Sequence, residues 1–228
     1  MANIRQSHTA TAGLQAALCK PLILASASPR RQDILRDAGL DFIVEVSDAE
    51  ADTDCLQDAP SHRAPGGAAA VSFALNAARA KALDISGRNP GRLVVAADTV
   101  VAVGDELLGK PDGPADAARM LRTLSGRDSS VTTAIAIACA DAHSPTVLLE
   151  DHETSTVTFK ELTQQQIDDY VGTGEPLDKA GAYALQGLGA ALIAGVAGSR
   201  LNVIGLPMAR LRTMLQQLGY ATPPHHNN

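Results

Sequence analysis

The chain has 228 residues, with 19 Lys and Arg against 25 Asp and Glu, and a formal net charge of −6. This length suits one large domain or two small ones, and the acidic balance argues against a duplex-binding protein, which would need clustered Lys and Arg. Hydrophobic residues make up 45% of the chain and aromatic residues only 3%, so we expect an aliphatic parallel or mixed sheet covered by helices and no aromatic platform for single-stranded nucleic acid.

The N-terminal residues give no targeting signal. Residues 1–20 contain no continuous apolar segment of the signal-peptide kind, and no apolar run in the chain is long enough to span a membrane. The three cysteines are scattered and form no C-x-x-C motif, which fits a reducing compartment. We therefore expect a cytoplasmic protein with no membrane partner, in which residues 1–20 form a flexible extension.

The first elements are predicted to be a strand, a helix and a strand. Residues 21–25 are an apolar run typical of a buried strand. Ser28 is placed as the N-cap of a helix, Pro29 as its first residue and Gly39 as its end. Residues 41–46 then predict a second strand.

The next part of the chain alternates a loop, a helix and a strand. The acidic stretch 47–67 predicts a long loop, which is either functional or disordered. An Ala-rich helix is expected over 68–86, ending at Gly87. Residues 92–98 form an apolar strand that ends in Asp98, followed by strand-like residues up to 103.

The C-terminal half predicts a hairpin between helices. No repeat or linker divides the chain, so we expect one α/β domain, in one or two lobes. The expected elements are a helix over 114–124, antiparallel strands over 131–140 and 146–160, a helix over 163–171 opened by a Thr163/Gln166 capping box, a strand over 190–196, a helix over 206–218 and a flexible tail over 219–228.

A first candidate anion site lies between the first strand and its helix. Ser26, Ser28, Arg30 and Arg31 place hydroxyls and guanidinium groups at a helix N-terminus, where free N–H groups attract phosphate. Arginine in the first helical turn opposes the helix dipole, which favours a bound anion over the alternative of two solvated surface arginines.

Two further candidates follow the long strand. Asp98 would be costly to bury unless it binds a metal or is hydrogen-bonded, and a structural turn acid is the alternative. Residues 104–110 match part of a P-loop, but Pro111 stands where a P-loop has the Ser or Thr that holds Mg²⁺. We therefore expect no P-loop here. Lys110 could still reach a phosphate from a turn. The acidic loop could supply a further oxygen ligand for a divalent cation from Glu50, Asp52 or Asp54, and the alternative is that these acids are solvated.

Residues 174–189 form the densest motif. They combine acids, Lys179, Gln186 and four glycines in one short stretch. Glycine lets the backbone approach a ligand closely, Lys179 could meet a phosphate and Gln186 could read a base edge. A structural turn with a surface ion pair is the alternative.

Taken together, these motifs resemble the Maf family of nucleoside triphosphate pyrophosphatases. The resemblance covers about 21–218, and its motifs lie in the family's order. It implies one α/β domain over 21–218, with a mixed sheet, flanking helices and an elongated two-lobed shape with a central cleft. They are Ser26-Ala-Ser-Pro-Arg-Arg31, Ala78-Arg-Ala-Lys-Ala82, Ala97-Asp-Thr-Val-Val101, Gly109-Lys-Pro111, Leu124-Ser-Gly126, Gly174-Glu-Pro-Leu-Asp-Lys-Ala-Gly-Ala-Tyr183, Leu185-Gln-Gly187 and Val203-Ile-Gly-Leu-Pro207.

The resemblance implies hydrolysis of a nucleoside triphosphate to the monophosphate and pyrophosphate, with a divalent cation (Mg, Mn or Co) as cofactor and a homodimer as a common assembly. Residues 175–183 look like the branch that prefers dTTP and UTP. The implied site residues are Asp98, Lys81 and Lys110 for catalysis, Ser26, Ser28, Arg30, Arg31, Thr99, Lys179 and Gln186 for substrate binding, and Asp98 with Glu50 or Asp52 for the metal.

A regulator that binds nucleotides without hydrolysing them, related to cell division or the septum, is the alternative function. Its support is the loop sequence Glu50-Ala51-Asp52, where the family usually has two adjacent acids. A nucleic-acid-binding protein is a distant third.

Overall fold

The computed structural model of the chain describes residues 15–47, 66–141 and 144–222. These residues form one open, mixed sheet of seven strands in a single domain. The predicted α/β class and the mixed sheet with flanking helices are confirmed. The strands are β1 (Leu22–Leu24), β2 (Phe42–Val44), β3 (Leu93–Val103), β4 (Glu106–Leu108), β5 (Asp128–Ala140), β6 (Pro145–Phe159) and β7 (Ile193–Ala197). Their order in the sheet is β2-β1-β3-β5-β6-β7, and β4 pairs with β3.

Helices cover both faces of this sheet. The α-helices are α1 (Pro29–Asp37), α2 (Gly66–Arg88), α3 (Pro114–Leu124), α4 (Gln164–Gly172), α5 (Arg200–Ile204) and α6 (Met208–Gln217), and the 3₁₀ segments are Glu175–Asp178, Ala180–Ala182 and Leu188–Leu192. α2 packs against one face, and the other helices and the three 3₁₀ segments belong to the opposite side or the ends.

Small side chains bring α2 close to the sheet. Ala74, Ala78 and Ala82 of α2 are fully buried, and they pack against Ala96 of β3 and Ala136 of β5 in one cluster. Because an alanine pair fills little space, the helix axis can lie near the strands. Long polar side chains at the edge of this interface therefore reach the sheet.

The other face of the sheet carries two separate apolar clusters. The α1/α6 cluster includes Leu35 and Leu211, and the α3/α4 cluster includes Leu121 and Ile167. Side chains alternate along a strand, so the same face of β3 and β5 contributes to both clusters. Thr99 of β3 and its paired residue Thr133 of β5 lie between the clusters, and their hydroxyl oxygens are 2.9 Å apart.

Strand pairing along one side of β3 is interrupted. β1 runs parallel to β3 and pairs with Val94 and Val95, whereas β4 runs antiparallel and pairs with Val101 to Val103. Between these two ladders, no strand of the described ranges pairs with β3 on that side. The segments that leave β1 and β4 therefore enter this break, directly beside Asp98 and Thr99.

Most local predictions are confirmed by the structure. Ser28 holds the N-cap position and Pro29 starts α1, while Pro114 starts α3. Thr163 and Gln166 form the predicted capping box of α4. The predicted hairpin is formed by β5 and β6. These features depend on neighbours in sequence, which is why the sequence predicts them well.

Five details differ from the sequence-based expectation. α2 runs through Gly87 to Arg88, because a single glycine weakens a helix without ending it, and Asn89 caps the end by donating to the Ile85 carbonyl at 2.9 Å. The last helix starts at Met208, after Pro207, and the shorter α5 precedes it. The strand predicted at 190–196 is β7, at 193–197. Asp98 lies inside β3 and does not end it, and β4 was too short to predict.

Two residues outside the predicted domain limits of 21–218 contribute to the core. Ala17 and Tyr220 belong to the α1/α6 cluster, and the Tyr220 hydroxyl donates to the Lys20 carbonyl at 3.3 Å. The ends of the described chain thus pack together beside β1. No helix in the described ranges is both long and apolar enough to cross a membrane.

The close approach of α2 predicts a position-specific cost of bulk. We expect Ala78→Leu to lower the free energy of unfolding by about 1–3 kcal/mol, because the added methylene groups have no space between α2 and the sheet. Ala80→Leu, at an exposed position of the same helix, should change it by less than about 0.5 kcal/mol. Urea unfolding of both variants checks this, and equal effects would contradict the packing described here.

Candidate functional site

A cavity of about 360 Å³ opens at the break in strand pairing. Its wall is formed by the loop after β1, by α1, α2 and β3, by the turn after β4, and by residues 131, 178–185 and 203–205. Cationic groups outnumber carboxylates there, although the whole chain carries a net charge of −6. The charged residues of the lining are Arg30, Arg31, Lys81, Lys110, Lys179, Asp98 and Asp178.

An ion pair between Lys81 and Asp98 lies at the base of the cavity. The Lys81 ammonium group on α2 is 2.8 Å from Oδ1 of Asp98 on β3. The Lys81 side chain is 3% exposed and that of Asp98 is 14% exposed. The alanine packing of α2 permits this contact, since Lys81 lies between Ala78 and Ala82 on the face that approaches the sheet. Asp98 is therefore a carboxylate of the cavity wall, and it has the hydrogen bond that its burial was expected to require.

Arg31 connects three parts of the site. Its guanidinium group donates to Oγ of Ser26 at 2.9 Å, to the Gly205 carbonyl at 2.9 Å and to Oγ1 of Thr99 at 3.2 Å. Ser26 is fully buried and Arg31 is 7% exposed. All three of these acceptors are neutral, so the positive charge of Arg31 is held at the wall of the cavity with its orientation fixed.

Ser28, Arg30 and Lys110 lie nearer the surface. Ser28 has the extended backbone of an N-cap, and its carbonyl accepts from the Gln32 N–H at 3.3 Å. Arg30 is half-buried and Lys110 is exposed, and both line the cavity. The N-terminus of α1 and these two cations surround an opening suited to an anion.

Lys179 is held at the cavity by its own neighbourhood. Its ammonium group donates to the Glu175 carbonyl at 2.6 Å and lies 2.5 Å from Oδ1 of Asp178. The Asp178 side chain is 72% exposed, whereas that of Lys179 is 14% exposed. Burial raises the pKa of Asp178, but the contact with Lys179 and the charge of Arg30 outweigh it, so that pKa is lowered.

Glu175 was part of a predicted motif, but no role was predicted for it. Its carboxylate accepts from the N–H groups of Gly189 at 2.9 Å and Leu188 at 3.0 Å, and from the Tyr170 hydroxyl at 2.9 Å. Burial raises the pKa of Glu175, but the N–H donors of Gly189 and Leu188, the Tyr170 hydroxyl and Lys179 outweigh it, so the net pKa is below the ordinary value of 4.5. No sequence signal separates Glu175 from the other acids of that motif.

The structure brings most of the predicted site residues to one cavity. The lining includes Ser28, Arg30, Arg31, Lys81, Asp98, Thr99, Lys110 and Lys179, and Ser26 lies behind it, bonded to Arg31. Gln186 is exposed and is not among the described residues that line the cavity, although its neighbour Leu185 lines it. Glu50 and Asp52 lie outside the described residues.

Asp98 suits one ligand position of a divalent cation. The described part of the chain holds no group of three or more His, Cys, Asp and Glu side chains arranged to bind a metal. Mg²⁺, however, is usually held by one or two carboxylates, waters and substrate phosphates, and not by an all-protein cage. Asp98, a carboxylate among cations that attract phosphate, fits that mode of binding.

Comparison with known proteins gives consistent results. A family model described as "Maf-like protein" matches residues 21–218. The dTTP/UTP pyrophosphatase of Symbiobacterium thermophilum is 46% identical over 200 residues, covering 87% of this chain and 94% of that protein. The dTTP/UTP pyrophosphatase of Myxococcus xanthus is 42% identical over 202 residues, covering 89% and 94%. The matched region contains every predicted site residue.

The buried ion pair predicts a large and partner-dependent loss of stability. Lys81→Met should lower the free energy of unfolding by about 3 kcal/mol, because Asp98 keeps a poorly solvated charge without its cation. Combining it with Asp98→Asn should recover part of that loss. Arg79 lies on the same helix and forms a more exposed ion pair with Glu150 of β6. Arg79→Met should therefore lower the free energy of unfolding by less than about 1 kcal/mol. Denaturant unfolding checks the series, and equal losses for Lys81→Met and Arg79→Met would contradict it.

The lowered pKa of Glu175 predicts a pH-dependent contribution to stability. A carboxyl with a lowered pKa in the folded state stabilises that state above its unfolded pKa, near the ordinary 4.5, and the contribution is lost as pH falls through the folded value. The difference in melting temperature between the wild type and Glu175→Gln should therefore be largest above about pH 5 and shrink as the pH falls below that value. Tyr170 stays protonated over this range, because burial and the hydrogen bond to Glu175 raise the pKa of its hydroxyl. A gap that persists at low pH would contradict the role of the carboxylate charge.

Proposed function

The chain belongs to the Maf family, and we propose that it is a nucleoside triphosphate pyrophosphatase that prefers dTTP and UTP. The observation that carries this proposal is the cavity, which gathers five cationic side chains around Asp98. The names of relatives with more than 40% identity support the substrate class. Hydrolysis to the monophosphate and pyrophosphate would remove unwanted nucleotides from the pool, a role in nucleotide metabolism.

The cations would bind and orient the triphosphate. Arg31 has a fixed orientation, so it can present its guanidinium group to phosphate oxygens without further ordering. Lys110, Lys179 and Arg30 add charge from three other segments of the wall. Because they converge from separate elements, they can neutralise the charge that develops on the leaving pyrophosphate.

Asp98 would accept the proton of the attacking water. In this reaction, the water oxygen forms a bond to the α-phosphorus, and the bond from that phosphorus to the oxygen bridging to the β-phosphate breaks. Lys81 holds Oδ1 of Asp98 at 2.8 Å, and Asp98 lines the cavity. A positioned carboxylate of this kind contributes through general base catalysis.

The divalent cation would be held by Asp98, together with Glu50 or Asp52 from the acidic loop. When bound, Mg²⁺, Mn²⁺ or Co²⁺ supplies charge neutralisation at the phosphate oxygens. The support for this assignment is the chemistry of Asp98 and its place among cations that attract the substrate.

The nucleoside would lie toward residues 184–189. Ala184 and Leu185 give the cavity an uncharged wall there, which suits a base and sugar better than phosphates. We propose that Gln186 reads the base edge and that Ser26, Ser28 and Thr99 orient the substrate near α1 and β3. Residues 21–218 would form the catalytic domain, with residues 1–20 and 219–228 as extensions, and the homodimer and the cytoplasmic location remain predictions.

The relatives' names favour hydrolysis over the alternative of a non-hydrolysing regulator. The two functions are separated by measuring pyrophosphate release from dTTP, UTP, CTP, dATP and GTP with Mg²⁺, Mn²⁺ or Co²⁺. We expect dTTP and UTP to be the best substrates. Tight nucleotide binding without product would support the regulator.

The same assay tests the role of Asp98. Asp98→Asn preserves shape but removes the proton acceptor, so kcat should fall by about 10²–10⁴-fold. Asp169→Asn, a matched change on the exposed surface of α4, should keep kcat within about twofold of the wild type. Equal turnover by Asp98→Asn and the wild type would contradict the proposal.

A further inference from the structure

We propose that Glu175 is a positioning residue for nucleoside recognition, which acts by fixing residues 184–189 against the cavity. The inference rests on the proposed function, because it takes the nucleoside end of the substrate to lie at that segment. Glu175 itself does not line the cavity formed by the described residues. It acts through the backbone of the segment and through Tyr170.

Hydrogen bonds attach the segment at both ends. At its start, the Ala184 N–H donates to the Tyr170 hydroxyl at 3.2 Å, and that hydroxyl donates to Oε1 of Glu175 at 2.9 Å. At its end, the Gly189 N–H donates to Oε1 at 2.9 Å and the Leu188 N–H donates to Oε2 at 3.0 Å. Two side chains from outside the segment thus hold its first residue and its last two residues.

Two glycines allow this close approach. Gly187 has φ +94°, and a Cβ there would lie 2.6 Å from Oε2 of Glu175. A Cβ at Gly189 would lie 2.5 Å from the Tyr170 hydroxyl oxygen and 2.6 Å from the Ala184 carbonyl oxygen. The segment therefore lies directly on Glu175 and Tyr170, with no space for a side chain between them.

The segment faces the uncharged part of the cavity. Ala184 and Leu185 contribute to the wall, and Gln186 follows them in the same fixed backbone. The cations that attract phosphate belong to α1, α2, the turn after β4 and Lys179. Loosening residues 184–189 should therefore disturb contacts with the base and sugar and leave the phosphate contacts in place.

A carboxylate is the group that these donors require. The Tyr170 hydroxyl and two backbone N–H groups all point at the two oxygens of Glu175. An amide of the same shape has one oxygen and one NH₂ group, so at least one N–H donor would face another donor. Glu175→Gln thus changes the hydrogen bonding at almost constant volume.

The kinetic test compares Glu175→Gln with the wild type and with Glu161→Gln, an exposed carboxylate serving as the matched control. We expect KM for dTTP and UTP to rise about tenfold, the effect of losing a bond to a charged acceptor that is partly exposed, and kcat to change less than about threefold. Binding of inorganic tripolyphosphate with Mg²⁺, measured by calorimetry, should be unchanged because that ligand has no base or sugar. Glu161→Gln should match the wild type throughout.

A second measurement does not depend on activity. Amide hydrogen exchange across residues 184–189 should be at least about tenfold faster in Glu175→Gln than in the wild type. Tyr170→Phe, which keeps the two backbone bonds to Glu175, should give a smaller increase in both exchange and KM. It also serves as the test variant if Glu175→Gln does not fold.

Each result supports or overturns the inference. Unchanged exchange in Glu175→Gln overturns it, and so does weaker binding of tripolyphosphate to the same extent as dTTP, since Glu175 would then support the whole cavity. A fall in kcat with constant KM overturns it as well. If the wild type hydrolyses no triphosphate, the proposed function fails, and calorimetric binding of dTTP decides the inference. Binding weakened about tenfold supports it, and unchanged or absent binding overturns it.

Discussion

The interruption of strand pairing along β3 is the constraint on which the site depends. β1 leaves the sheet after pairing with Val95, and β4 joins it at Val101 from the opposite direction. The segments that follow β1 and β4 turn away from the sheet at this break. The segment after β1 carries Ser26 to Arg31, and the segment after β4 carries Lys110. A cavity forms beside β3, where a paired strand would otherwise lie.

The two faces of β3 then divide the chemistry. Asp98 points to the α2 side and bonds to Lys81, whereas Thr99 points to the other side and bonds to Arg31 and Thr133. Adjacent residues in one strand thus place a carboxylate and a fixed guanidinium group within the same cavity. Burial of the ion pair is tolerable because each charge has its partner, and because α2 approaches closely enough to provide it.

What could be predicted from the sequence follows the range of the interactions. The effects of Pro29 and of the Thr163 capping box act within one helical turn, and the predictions made from them are confirmed. The contact of Lys81 with Asp98 requires α2 to pack on β3, so only the resemblance to a family joined these residues beforehand. β4 has three residues and one neighbour, β3, which leaves too little periodicity to detect. Pairing between distant segments determines the cavity, and no local pattern encodes it.

The motif at 174–189 shows why proximity in sequence does not assign roles. Its residues share one stretch of chain, but the fold sends Lys179 to the cavity wall, leaves Gln186 exposed and turns the Glu175 carboxylate toward the backbone of Leu188 and Gly189. Glu175, whose carboxylate accepts from three donors, does not line the cavity. Since a net charge of −6 coexists with a cationic cavity, charge acts locally here: acids can stabilise the backbone around a site whose cations face the substrate.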